Sequence, residues 1–427
     1  MVRDREGSMS WWLDITDLDD DQKNVIELPP TGNYLILGPP GSGKTNLLLI
    51  RAEYLIRTGQ PNLFVLMFNE PLHDFVVRGG VHYEVPATKI RKMLSWEIIL
   101  LRENGIPFDD LPEEDLFAKR KALAEKVLDL LEEKPRLKKH LECLLVDEVQ
   151  DCIPEEVEVF FRCAKHVCFA GDNGQRIFSS HSVIPMLQER LKPIELTTHY
   201  RIGHEICKVA DTVGKSAGIP SILDTCNYRD PESKVHFFNC ESDAAQTKKI
   251  IEDLSIQLTA YPDELLAVVG PRKADRDFLR SELEASALKP LILPHRRSGG
   301  DDPEQRIYVA HLLEIKGLEF RTIHLALMQY IHRMGENQKR IAYTAITRAK
   351  TTVSLYFTGK IPGYLEQAQV AVEPPKPKPP LEDLFPKNKK GKQYRLTDEY
   401  RSHLSFLSRR PPHNAWPLNS LTRNVHI

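Results

Sequence analysis

The sequence predicts an α/β protein with two parallel sheets, each covered on both faces by helices. Short apolar segments alternate with helical ones along most of the 427 residues, the pattern of strands joined by helical crossovers. The candidate strands fall into two groups. Tyr34 to Leu37, Leu63 to Phe68, Leu144 to Val146 and Val167 to Ala170 form the first. Val235 to Phe238, Leu265 to Val269, Ile307 to Ala310, Ile323 to Leu327 and Val353 to Phe357 form the second. The third observation is a complete G-x-x-x-x-G-K-T loop, Gly38 to Thr45, set between the first strand and a helix at Asn46 to Leu55; this is the context such a loop needs.

Composition sets wide bounds. The length implies two or three domains, the chain is 41% hydrophobic, and no apolar run is long enough to span a bilayer. A soluble protein with no membrane partner is expected. The net charge of −2 requires any nucleic-acid surface to be a local basic patch. The seven cysteines include no C-x-x-C pair and sit mostly in apolar strands. They read as buried thiols in a reducing cytoplasm, with no zinc or iron–sulfur spacing. Gly7-Ser8-Met9 resembles a cloning scar, so residues 1–8 are left out of the reading, and no signal peptide is seen.

The first sheet is expected from residues 9–95 and 141–196, with a helical insertion at 96–140. Within it, Glu113 to His140 is rich in Leu, Ala, Glu and Lys at spacings of three and four and reads as a helical hairpin broken by Pro135. Residues 197–372 supply the second sheet. A Pro-rich linker at 373–381 is stiff and extended. The tail, 382–427, is basic: from Pro386 onward nine Lys and Arg face two acids, Asp398 and Glu399. Such a tail either touches phosphates or is a solvated appendage.

The loop carries chemistry. Gly38, Pro39, Pro40, Gly41, Ser42 and Gly43 let backbone N–H groups close around phosphates. Lys44 is placed to reach the β- and γ-phosphates, and Thr45 to ligate Mg²⁺ beside the positive end of the next helix. The strand Leu144 to Val146 delivers DEVQD to a sheet's carboxyl end, where α/β folds bind ligands. Asp147 is expected to hold the cation, and Glu148 to act as general base on the attacking water. The transition state also needs positive charge on the far side of the γ-phosphate. Arg201 in HYR and Arg348 in TRA are the candidates, arriving from the second sheet on closure.

In this order, GPPGSGKT, DEVQD, GDNGQ, HYR, KGLEF and TRA resemble the UvrD/Rep group of superfamily 1 helicases, from about Asp19 to about Gly359. That resemblance implies two RecA-like domains of the P-loop NTPase type and an ATP-driven motor moving 3′ to 5′ on single-stranded DNA. It implies that Gln22 reads the adenine edge, Tyr200 stacks on it, Gln175 senses the γ-phosphate, and Gly317 and Glu319 lie near the ribose. Arg201 and Arg348 match the two arginine fingers. On the DNA side it points to Phe68 as a base-stacking aromatic, although at the end of an apolar strand Phe68 reads equally as a core residue, to Thr88 near a phosphate-contacting motif, to Phe178 as an aromatic near the stacking tryptophan's place, and to His311 in the segment before KGLEF. Three departures accompany it. Ser180 replaces a tryptophan, His311-Leu312-Leu313 stands where relatives have T-x-H, and the large auxiliary insertions are missing.

The function expected is a Mg²⁺-dependent, DNA-stimulated ATPase that translocates on single-stranded DNA or tailed duplex DNA and unwinds duplexes. The alternative is a nucleotide-sensing ATPase subunit that gates a partner nuclease, similar to small helicase-like subunits of prokaryotic defence systems, including the Gabija type. A P-loop kinase or metabolic ATPase would not need motifs spread over two sheets.

Overall fold

The computed structural model describes residues 12–373, apart from 69, 80–81, 113–114, 178–181, 230–231, 295–303 and 336. The linker and basic tail lie outside the described residues.

The first sheet contains β1 (Tyr34–Leu37), β2 (Leu63–Met67), β3 (Ile90–Lys92), β4 (Leu141–Val146), β5 (Ala164–Gly171) and β6 (Pro193–Glu195). The second contains β7 (Lys234–Asn239), β8 (Leu266–Gly270), β9 (Ile307–His311), β10 (Phe320–Leu325) and β11 (Ala349–Phe357). Strand order is β3-β2-β4-β5-β1-β6 in one and β7-β11-β10-β8-β9 in the other, and every pairing is parallel. These are two RecA-like α/β layers.

Around the first sheet run α1 (Asp20–Ile26), α2 (Lys44–Arg57), α3 (Glu70–Gly79), α4 (Met93–Glu103), α5 (Leu116–Glu133), α6 (Pro154–Cys163) and α7 (Ile184–Arg190). Around the second run α8 (His204–Lys215), α9 (Asp243–Ala260), α10 (Lys273–Glu284), α11 (Gln338–Ile346) and α12 (Gly363–Val372).

Both faces of both sheets are buried because alternate residues of a strand point to opposite sides. Leu35, Leu66, Leu144, Val146 and Phe169 pack on one face of the first sheet, and Ile36, Val65, Leu145, Cys168 and Ala170 on the other. In the second sheet Ala267, Val269, Ile323 and Leu325 face one core and Leu266, Val268, Ile307 and Val309 the opposite one.

The segment read as a helical hairpin contains one described helix, α5, capped by the Asp115 carboxylate on the Phe117 and Ala118 N–H groups and followed by a 3₁₀ turn that starts at Pro135. Proline can begin a turn but cannot continue α5. Leu123, Val127, Leu130 and Leu131 of α5 join the core of the first sheet. A fully buried ion pair, Arg120 to Glu156, ties α5 to α6, and Arg120 also donates to the Asp151 carbonyl at 2.9 Å.

Candidate nucleotide site

β1 ends at the phosphate loop. Gly41 and Gly43 have φ of +83° and +85°, a left-handed conformation that side chains resist. Gly43 is the N-cap of α2 and supplies no side-chain cap, so the first-turn N–H groups of the helix keep their capacity for an anion. The Lys44 ammonium folds back on the loop, donating to the carbonyls of Gly38 at 2.8 Å and Pro39 at 2.9 Å. The Ser42 hydroxyl also donates to Pro39, at 2.9 Å. Burial pulls the pKa of Lys44 down, against the attraction of Asp172, Glu148 and Asp147. An anion in the loop offers that ammonium a stronger acceptor than two carbonyls.

One strand, β5, separates β1 from β4, so the loop and Asp147 leave the same carboxyl edge. The Thr45 hydroxyl donates to Asp147 Oδ2 at 2.7 Å, and the Glu148 N–H donates to Asp147 Oδ1 at 2.9 Å. Burial, then the neighbouring Glu148, pushes the Asp147 carboxyl up to about 6. Burial pushes Glu148 upward too, but Lys316, Arg348, Lys44 and the Gln150 amide outweigh it, leaving this carboxyl below its ordinary value. Glu148 also holds a left-handed backbone, φ +54°, a strained state for a residue with a Cβ, costing about 1–3 kcal/mol. Pairing with Lys316, whose Nζ lies 3.5 Å from Oε2, and with the Gln150 amide offsets it.

The second sheet meets this edge with its amino end. β10 and β11 are neighbours with Phe320 opposite Ala349, so Glu319 and Arg348, one residue earlier on each, stand side by side. Arg348 donates through Nη2 to Gln175 Oε1 and through Nε to the Thr344 carbonyl at 3.2 Å. Arg201 forms an ion pair with Glu319; burial pulls its pKa down, opposed by Glu319. Pro40, Gly41, Gly43, Lys44, Thr45, Asp147, Glu148, Gln175, Arg201, Gly317, Glu319 and Arg348 line a single cleft, although they come from both sheets.

Gln22 and Tyr200 converge on the loop's rim. The Gln22 side chain accepts from the Asp19 N–H at 3.1 Å and donates to the Ser42 carbonyl at 3.1 Å, so it both caps α1 and braces the loop. The Tyr200 hydroxyl donates to the Asp19 carboxylate, and its N–H faces the Gly41 carbonyl at 3.4 Å.

The residues assigned to DNA are not gathered in the same way. Phe68 packs against the core of the first sheet, with the guanidinium of Arg120 over its ring at 4.9 Å. Thr88 is exposed in a 3₁₀ turn before β3. His311 is buried at the end of β9, with Nε2 3.4 Å from Glu314 and the Leu313 N–H 3.3 Å from Nδ1. Phe178 and Ser180 lie outside the described residues.

Four residues were given no role by the sequence reading. Gln150 bridges the motifs, donating to Glu148 and accepting from the Asp172 N–H at 2.9 Å. Asp151 and Lys316 form a buried ion pair, and Lys316 also donates to the Gln175 carbonyl at 2.8 Å. Asp172, the fourth, is pushed up by burial while Lys44 pulls it down. All four stand inside the quoted motifs, so the signal was present as motif membership.

Chemically, the cleft joins a cradle of N–H donors, three cations and three carboxylates, of which Asp147 is shifted up and Glu148 down. Asp172 Oδ2, Gln175 Nε2 and Glu319 Oε2 are buried with no hydrogen-bond partner among the described residues, an arrangement that suits a polar ligand. Thr45 and Asp147 offer the hard oxygen donors that Mg²⁺ takes.

No family model matches the sequence, and no curated protein matches it. Among solved structures, one described as the structure of PRRSV helicase is matched with a TM-score of 0.39 and 15% identity, over 78% of this chain and 54% of that one. The chain thus spans about half the length of that structure, and a likeness this slight adds nothing to the geometry above. Among the described residues no helix is long and apolar enough to cross a membrane.

Proposed function

We propose that this chain is an ATP-hydrolysing motor of the UvrD/Rep-like superfamily 1 type, a cytoplasmic ATPase stimulated by single-stranded DNA, moving 3′ to 5′ along it and unwinding tailed duplexes. One observation carries the reading: the loop and carboxylates of the first sheet and two arginines of the second line the same cleft. In this reading Lys44 leaves the carbonyls of Gly38 and Pro39 for the β- and γ-phosphates. Glu148, held ionised by surrounding cations, accepts a proton from the attacking water, and Gln175 senses the γ-phosphate. Arg201 and Arg348 exchange Glu319 and Gln175 for phosphate oxygens, so turnover is coupled to how the two sheets meet. Mg²⁺ held by Thr45 and Asp147 would polarise the terminal phosphates. Gln22 and Tyr200 would receive the base.

A second reading is favoured by Phe68, whose ring lies under Arg120 and against the core. It is a nucleotide-sensing subunit that uses the same ATP site to gate a partner nuclease. The deciding experiment is the steady-state ATPase rate of the purified chain with and without single-stranded DNA or RNA. Strong stimulation supports the motor. A rate indifferent to both nucleic acids removes it, and efficient unwinding of a tailed duplex by the chain alone removes the regulatory reading.

A further inference from the structure

Behind the loop that carries Tyr200 and Arg201, three residues from separate segments meet. His199 opens the HYR motif, two residues before Arg201, Cys207 is on α8, and Cys226 follows a 3₁₀ turn at Leu223–Thr225. One ligand atom from each lies within 4.8 Å of the others. His199 and Cys207 are fully buried and Cys226 half-buried. Backbone pairing fixes the arrangement: His199 and Cys226 form a parallel bridge, with the His199 N–H on the Thr225 carbonyl at 3.1 Å and the Asn227 N–H on the His199 carbonyl at 2.8 Å.

We propose that His199, Cys207 and Cys226 form a site for a thiophilic divalent cation, Zn²⁺ in the cell, with donors separate from the Thr45 and Asp147 oxygens of the nucleotide cleft. Two thiols and an imidazole are the donor set of many zinc sites, with Zn–S near 2.3 Å and Zn–N near 2.0 Å. Tetrahedral geometry then sets neighbouring S and N ligands roughly 3.6 Å apart, and Cys207 Sγ is 3.8 Å from His199 Nε2. Main-chain oxygens border the same space. The Ile202 carbonyl is 3.5 Å from Cys207 Sγ and 3.2 Å from Cys226 Sγ, and the Ile222 carbonyl is 2.8 Å from His199 Nε2.

Burial pulls the pKa of the His199 imidazole down, the direction that favours the neutral ring a metal takes. His199 Nε2 faces the Ile222 carbonyl at 2.8 Å, so ligation through it moves its proton to Nδ1, which is buried with no hydrogen-bond partner among the described residues. Burial raises the Cys207 thiol; cation binding supplies the positive charge that ionises it, with release of protons. The sequence hid this set because its members are not in a short C-x-x-C spacing. The bound cation would cross-link the Arg201 loop, α8 and the segment before Asn227.

The test is titration of the reduced, metal-stripped full chain with Co²⁺. Expected are one Co²⁺ per chain and a thiolate-to-cobalt charge-transfer band in the near ultraviolet, displaced by Zn²⁺, lost in Cys226→Ser and kept in Cys240→Ser. Carboxylate sites such as Asp147 give no thiolate band, so the nucleotide cleft cannot mimic the signal. Absence of the band in the folded wild-type chain overturns the proposal without recourse to variants. So does a band that survives in Cys226→Ser, or a Cys207–Cys226 disulfide, read by mass after alkylation, in chain purified without reductant.

Discussion

Lys316 and Asp151 form a fully buried ion pair between segments that belong to different sheets. Lys316 precedes β10 and Asp151 follows β4, and a lysine with no exposure needs this partner. Desolvation lowers its pKa to about 8, despite the attraction of Glu148 and Asp147. Removing the cation while the carboxylate stays is predicted to cost about 3–5 kcal/mol. Urea unfolding of Lys316→Met should show that loss, and Lys316→Met with Asp151→Asn should recover part of it. Equal stability of Lys316→Met and wild type would refute the pairing.

Gly317, next in the same motif, has φ +78°, and a Cβ there would sit 2.6 Å from Leu72 Cδ2. Gly317→Ala combines left-handed strain with that contact, for an expected loss of about 1–3 kcal/mol. Thermal unfolding checks it. Adding Leu72→Ala should relieve only the steric part in the coupled pair, leaving the backbone strain.

His324 gives a pH dependence. Its ring shares hydrogen bonds with the Tyr356 hydroxyl at 2.8 Å and Gln257 Oε1 at 2.9 Å, and burial lowers its pKa from 6.5 to about 4. The unfolded chain binds this proton at higher pH than the folded one does. Stability is therefore full above pH 6.5 and falls as pH drops toward 4, by about 3 kcal/mol from this group. His324→Gln should flatten that part of the urea-midpoint profile; an unchanged slope would contradict it.

Lys44→Ala removes the loop's ammonium. Turnover of ATP should fall on the order of a hundredfold or more, while far-ultraviolet circular dichroism stays unchanged, because Lys44 now holds only loop carbonyls.

All nine strands read from the sequence are in the structure, because buried parallel strands are continuous apolar runs. β3 and β6 were missed: with three residues each, both edge strands are too short to show a period. In the site, the loop, DEVQD, HYR, KGLEF and TRA were legible as motifs, and residues of each line one cleft. Their pairings were not. Lys316 with Asp151, Arg348 with Gln175 and Arg120 over Phe68 arise where distant segments pack, and local spacing holds no record of that. The cluster of His199, Cys207 and Cys226 was hidden for the same reason.

The central claim is that an arginine from the second sheet completes an ATP site built on the first. Its most direct measurement is single-turnover ATP hydrolysis by Arg348→Ala, with ATP affinity measured in parallel. A group acting in the transition state should, when removed, slow the chemical step on the order of a hundredfold and leave affinity within a few fold. Hydrolysis at the wild-type rate would contradict the split site.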